Sequence, residues 1–282
     1  METRLDAAAR ALAVAGSAIA QVRQLASDGD VVEITLDGGE TAGVKAVLAE
    51  HFDPADVLVA SDPISLPALF VSDMDSTMIV QECIDELADF AGIKHHVAAI
   101  TERAMQGELD FESALRERVM LLRDLSEEAI VECLATRIEP MPGARVLVET
   151  LKAHGCRTVL VTGGFHHFAD PIAQQLGFER VVANRLAIDG GLLTGELVGP
   201  ITDSSVKRAT LEAELAGLGQ GAVSLATGDG ANDVPMLVAA DYGIAFRAKP
   251  TAKLAANGWI DRGDLTAVLR LLGIPATDWV TG

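Results

Sequence analysis

The sequence predicts an α/β protein built on a doubly wound, parallel, Rossmann-like sheet, with an inserted helical cap and a small N-terminal α/β module. Three observations point there. An apolar run, Leu66 to Val71, leads directly into Asp73 and Asp75, as a buried parallel strand does when it ends at a reaction site. From Pro142 onward strand, loop and helix patterns alternate, which is the signature of βαβ units. Between Gln81 and Arg137 the apolar period becomes that of helices, so a bundle is inserted just after the first core strand.

In chain order, residues 5–27, rich in Ala, Val and Leu, read as one helix. Val31 to Leu36 reads as a strand, Thr41 to Phe52 as a second helix, and Val57 to Ala60 as a further strand closing an αβαβ module. Nothing in that module carries chemistry, so packing or self-association into a homodimer is its expected role. Asp62 to Pro67 holds two prolines in six residues and breaks both helix and ladder. The expected division is therefore residues 1–66 as accessory module and linker, and 67–282 as the main domain, with the cap at about 81–140.

Within the cap, Ile84, Leu87, Ala88 and Ala91 share one face; Val97, Ile100 and Ala104 another; and Phe111, Ala114, Leu115, Val119 and Leu122 a third. Asp110 and Ser126 suit N-caps. Such a bundle hangs over the carboxyl edge of the sheet as a lid. Downstream come a helix from Ala144 to His154, a strand from Thr158 to Val161 ending at Thr162-Gly163-Gly164, and a helix from His166 to Leu176. Val181 to Ala187 and Leu192 to Val198 form a hairpin across Asp189-Gly190-Gly191. A helix from Lys207 to Leu215, a strand from Val223 to Ala226, a helix from Val234 to Ala240, a strand from Tyr242 to Phe246 and a helix from Leu265 to Leu272 complete the series.

Composition removes several functions. A formal net charge of −19 with no Lys/Arg stripe argues against a nucleic-acid binder. The three cysteines, Cys83, Cys133 and Cys156, are far apart with no CxxC, so neither a disulfide framework nor a thiolate metal site is indicated, and reduced, cytoplasmic thiols fit best. No signal peptide or membrane span is expected, since the uncharged part of the Ala7 to Val22 segment is too short to cross a bilayer.

The candidate chemistry lies at strand ends. In an open α/β sheet ligands bind outside the carboxyl ends of strands, so Asp73 and Asp75 both meet the ligand. Two anions so close are tolerated when a divalent cation neutralises one and the other carries a proton for part of the cycle. Thr162 with Gly163 and Gly164 offers a hydroxyl and backbone N–H groups opening into a helix, suited to a phosphate oxygen, although such a turn is also an ordinary strand exit. Gly228-Asp229-Gly230-Ala231-Asn232-Asp233 adds two carboxylates, and Lys207 can offset charge on a transferring phosphoryl group, although a lone lysine is more often solvated. A dinucleotide reading of Gly228-x-Gly230 is poor because Asp233 stands at the third glycine position.

Taken in order, Asp-x-Asp-x-Thr, then Thr, then Lys, then Gly-Asp-Gly-x-x-Asp resembles the haloacid dehalogenase-like phosphohydrolases over Leu66 to Leu272. Asp73 to Thr77 followed by Glu82, the run Met105 to Phe111, Leu115 to Val119, and Gly228 to Asp233 narrow the likeness to the branch acting on O-phosphoserine. The resemblance implies Asp73 as nucleophile, Asp75 as acid and then base, and Mg2+ held by Asp73, the backbone carbonyl of Asp75 and Asp229, with Asp233 orienting that shell from outside. It further implies that Thr162, Gly163 and Lys207 receive the phosphoryl oxygens with Asn232 close by. Glu82 would meet the substrate ammonium and Arg118 its carboxylate, with Met105 and Phe111 covering the site. The family's phosphate-binding position is commonly Ser, and here it is Thr162. A same-fold enzyme acting on another small phosphomonoester, such as phosphohomoserine, and a non-catalytic amino-acid sensor are the rival readings. The intact acidic and lysine set argues against the second.

Overall fold

The computed structural model describes residues 3–25, 31–105 and 108–281. Near the N-terminus, α1 (Arg4–Val14) opens on a capping box between Thr3 and Asp6. It does not run to residue 27. The chain leaves the helix at Ala15, turns through Gly16 at φ 81°, and continues as β1 (Ala18–Gln24), paired antiparallel with β2 (Val32–Asp37). Gly16 supplies the left-handed turn that an alanine-rich pattern conceals. Helix α2 (Thr41–Phe52) lies where expected and packs Val44 and Val47 against Ala8 and Leu12 of α1.

The next strand, β3 (Asp56–Leu58), does not close the small sheet. It pairs antiparallel with β10 (Gly258–Ile260) at the edge of the large sheet. The N-terminal piece is therefore α1-β1-β2-α2, and its following strand crosses to the main body.

That body is an eight-stranded sheet of order β3-β10-β9-β8-β4-β5-β6-β7. Its strands are β4 (Leu69–Ser72), β5 (Arg157–Phe165), β6 (Arg180–Asp189), β7 (Leu192–Val198), β8 (Ser224–Gly228), β9 (Tyr242–Phe246) and β10. Pairs from β10 to β6 are parallel, and both edges are antiparallel. Alternation in β4 splits the core between the two faces. Phe70 joins Leu160, Leu225 and Ile244 on one, whereas Leu69 and Val71 join Val159, Val161 and Ala226 on the other.

Among the described residues the cap has four helices: α3 (Cys83–Phe90), α4 (Lys94–Met105), α5 (Phe111–Met120) and α6 (Glu127–Arg137). The expected caps are present, Asp110 accepting from the Ser113 N–H and Ser126 from the Glu128 N–H. The core helices are α7 (Ala144–Ala153), α8 (His166–Leu176), α9 (Ser204–Leu218), α10 (Val234–Ala239), α11 (Pro250–Ala255) and α12 (Thr266–Leu271). Two of these elements, α11 and β10, escape the sequence pattern: α11 buries only Ala252, so no apolar stripe marks it, and β10 is three residues long. A further difference concerns β5, which does not end at Thr162 but continues through the two glycines to Phe165.

Candidate active site

Register places the site. Ser72, the last residue of β4, stands opposite Leu160 of β5 and Thr227 of β8, so the residues that follow on all three parallel strands emerge together at one edge. Asp73 is the next residue on β4, and Thr162 and Asp229 stand two residues beyond Leu160 and Thr227. The Ser72 and Thr227 hydroxyls bond each other at 2.7 Å, and the Asp73 N–H donates to the Thr227 carbonyl at 3.0 Å. The backbone under Asp73 is thereby fixed before its side chain meets anything.

Lys207 is not solvated; it is 1% exposed. Its ammonium lies 2.7 Å from Asp73 Oδ1 and 2.7 Å from Asp233 Oδ1. Burial alone would lower the lysine, but the two carboxylates outweigh it and hold the ammonium. Asp73 Oδ1 also accepts the Met74 N–H at 2.8 Å. Burial and Asp233 push the Asp73 carboxyl up, and Lys207 pulls it back. Asp233 is committed on both oxygens, since Oδ2 accepts the N–H groups of Asp229 and Gly230 at 3.1 and 3.0 Å. A side chain on Gly228 would collide with Asp233, its Cβ falling 2.4 Å from Asp233 Cγ, which is why the loop needs glycine there.

Asp75 follows a different logic. Burial first, and Glu82 second, raise its carboxyl to about 7, and Oδ1 is buried with no hydrogen-bond partner among the described residues. The neutral acid is thus favoured close to neutral pH. Next to it, Ser76 adopts a left-handed φ of 55° and donates its hydroxyl to Glu82 Oε1 at 2.8 Å.

On the β5 side, the Thr162 hydroxyl accepts the Gly164 N–H at 2.9 Å, so that amide is already used and Thr162 is oriented by its own loop. A Cβ on Gly163 would come within 3.3 Å of the Phe111 ring, and one on Gly164 within 3.2 Å of Asp75 Oδ2. Asn184 holds the loop from behind, donating to the Gly163 carbonyl at 2.8 Å and accepting from the Thr202 N–H at 2.8 Å. No sequence signal selects Asn184 or Thr202, each a single polar residue far from the motifs.

The cap contributes Phe111, Leu115 and Arg118, spaced four and three along α5 and so on one face. All three line a cavity of about 140 Å³ together with Asp73, Asp75, Glu82, Thr162, Gly163, Asp229, Asn232 and Lys249. A space of this size suits a small metabolite and not a polymer. Phe111 is 39% exposed, a cover over Gly163 and not core. Among the described residues no ion pair joins Glu82 to Arg118; the Arg118 Nε–H donates to the Ala114 carbonyl at 3.3 Å. Burial draws the guanidinium below its ordinary value, opposed by Asp85, Glu82 and Asp75. The Met105 side chain lies outside the described residues. Lys249, which no motif marks, also faces the cavity.

The donor set fits a divalent metal ion. Asp73, Asp229 and Asp233 each bring an oxygen within 4.8 Å of the others. Burial and Asp233 push Asp229 up to about 6, the mark of a cluster short of positive charge. With oxygen donors throughout, a hard cation is favoured. Asp233 is committed on both oxygens, to Lys207 and two amides, whereas the bonds of Asp73 to Lys207 and Met74 both fall on Oδ1, so Asp73 and Asp229 are the carboxylates better placed to hold it.

The description haloacid dehalogenase-like hydrolase belongs to the family model that matches residues 70–238, and the chain is a member of that family. Phosphoserine phosphatases from Albidiferax ferrireducens and Streptococcus thermophilus are each 44% identical to it, over 209 and 205 residues; each alignment covers 72% of this chain, with 88% and 95% of the respective relative. A solved phospho-aspartyl intermediate analogue of phosphoserine phosphatase superposes at a TM-score of 0.66 with 39% identity, covering 72% of this chain and 98% of that one. A probable phosphoserine phosphatase from Vibrio cholerae reaches 0.74 at 34% identity, covering 96% and 84%. Within the family, the chain belongs with the phosphoserine phosphatases. Among the described residues no helix is long and apolar enough to cross a membrane.

Proposed function

We infer that the chain hydrolyses O-phospho-L-serine to L-serine and phosphate, the closing reaction of a phosphorylated route to serine. The observation that carries this reading is a buried carboxylate, Asp73, ion-paired to a buried lysine beside a second carboxyl, Asp75, that keeps its proton up to about 7. Asp73 attacks phosphorus in line while the seryl P–O bond breaks, and Asp75 delivers its proton to the departing oxygen. Asp75, now a carboxylate, then takes a proton from water as that water attacks the aspartyl phosphate and releases Asp73. Lys207, Thr162 and the Gly163 N–H receive phosphoryl oxygens, with Asn232 beside them. A bound divalent cation, which we take as Mg2+ held by Asp73, the Asp75 carbonyl and Asp229, supplies positive charge against the phosphoryl oxygens and the converging carboxylates. Asp233 holds Lys207 and the Asp229 loop in place.

Recognition of the amino acid is assigned to the cap. Glu82 meets the ammonium, Arg118 makes paired hydrogen bonds to the carboxylate, and Phe111 with Met105 excludes water. We further assign the segment through α2 to an accessory unit suited to self-association as a homodimer, and the chain from β3 onward to the catalytic unit with its cap at about 81–140, since β3, which a boundary at 66/67 leaves with the accessory unit, pairs in the large sheet. The cytoplasm is the expected compartment, given three free, buried cysteines.

The decisive experiment is acid quench of a turnover mixture with radiolabelled O-phosphoserine, followed by digestion. Label is expected on the peptide carrying Asp73, and Asp73→Asn should lower kcat by about 10³-fold or more. Label on no peptide, or on another, refutes the scheme.

A further inference from the structure

The carboxylates of the cluster do not share one counter-ion. Asp73 and Asp233 meet Lys207, which is buried, whereas Asp229 meets Lys249, whose Nζ lies 3.9 Å from Asp229 Oδ2. The two lysines differ in kind. Lys249 has a side chain 63% exposed against 13% for Asp229, so its ammonium sits on the solvent side of a carboxylate that is itself almost enclosed. Its backbone is fixed all the same. The Lys249 N–H donates to the Asp229 carbonyl at 2.9 Å, and Pro250 starts α11 immediately afterwards. A pinned Cα with a free four-carbon stem lets the charge swing while the root stays still.

Where that charge swings is set by its surroundings. Lys249 shares the cavity wall with Glu82, Arg118 and Asn232. The cavity is otherwise rich in carboxylates, and the chain carries a formal charge of −19, so an anionic phosphomonoester approaches a repelling surface. A divalent cation held by Asp229 would meet the carboxylate that Lys249 already faces at Oδ2.

On these grounds we propose that Lys249 is a displaceable counter-ion. The cation takes Asp229 from it, and the released ammonium becomes a positive group at the cavity mouth for the anionic groups of the incoming phosphomonoester. Cation binding and substrate capture are thereby linked, with the cation favoured first. Lys249 is a positioning residue through Asp229 in the first state and a substrate-facing cation in the second. The inference rests on the phosphatase reading above and adds to it a binding order and the residue that enforces it.

The test uses the full chain and two probes, Mn2+ alone and inorganic phosphate in saturating Mn2+, each followed by calorimetry. Replacing Lys249 by Met removes the competitor, so Mn2+ binding should tighten about two- to fivefold at low salt, the range expected for one exposed ion pair. In the same variant phosphate should bind about two- to fivefold more weakly, because the released charge is missing. Lys249→Arg should restore both values, and 1 M salt should shrink both differences. A purely structural role predicts weaker Mn2+ binding on truncation; that outcome, or no change in either arm, overturns the proposal. Lys249→Gln is the second variant, to be used if the Met form does not fold. Turnover of O-phosphoserine by the parent, measured on the same preparation, tests the phosphatase reading separately.

Discussion

In the proposed scheme the first step hangs on a single proton, that of Asp75. A carboxyl held up to about 7 keeps its proton below that pH and loses it above, so the acid needed for leaving-group departure disappears as pH rises. Since kcat/KM reports the free enzyme and the first chemical step, it should decline as pH climbs through about 7. Asp75→Asn should lower kcat/KM by about 10²–10⁴-fold and leave no such limb in a pH–rate profile. Arg118 carries a specificity prediction of the same kind. Arg118→Ala should cut the preference for carboxylate-bearing monoesters over simple ones by about 10- to 100-fold, read from paired kcat/KM values on O-phosphoserine and phosphoethanolamine. The strand-end residues are legible in the sequence because parallel strands deliver their last residues to one edge, so that motifs far apart in the chain become neighbours. Lys249 and Asn184 are not. Neither stands in a motif, and what makes each matter is a contact far away in the chain, the Lys249 ammonium with the Asp229 carboxylate and the Asn184 amide with the Gly163 carbonyl.

Among the elements, long periodic helices, the fully buried strand β9 and the hairpin-marked strand β7 are readable, and concealed patterns are not. Helices α2 and α8 and strands β7 and β9 agree with the expected limits to the residue. Strand β1 escapes because its sequence, AIAQVRQ, follows a helix of the same composition and is largely exposed, so no period-2 burial marks it. Helix α11 escapes because it buries only Ala252 and so shows no apolar stripe, yet it links two regions. Its first residue follows Lys249, and the carbonyls of Leu254 and Ala256 at its far end accept from Lys45 of α2, at 3.3 and 2.7 Å. Those acceptors are orphans of a helix end. Lys45→Met should therefore destabilise the protein by about 1.5–3 kcal/mol, seen as a lower denaturant midpoint with unchanged slope.

Over the whole molecule, the large sheet is closed by an antiparallel strand on each side: β7 arrives from its own hairpin, but β3 arrives from across the proline linker. Besides its pairing with β10, that segment brings Asp56, whose carboxylate accepts the N–H groups of Asp261, Arg262 and Gly263 at 2.9, 2.9 and 3.0 Å. A chain starting at residue 67 loses all of this and bares the β10 edge beside Trp259. Unpaired edges recruit other strands. Light scattering should show residues 67–282 self-associating at concentrations where residues 55–282 do not. Anyone splicing front halves between relatives would accordingly find the natural seam ahead of Asp56, not at the prolines; a chimera cut at the visible hinge would leave its border strand behind with the donor.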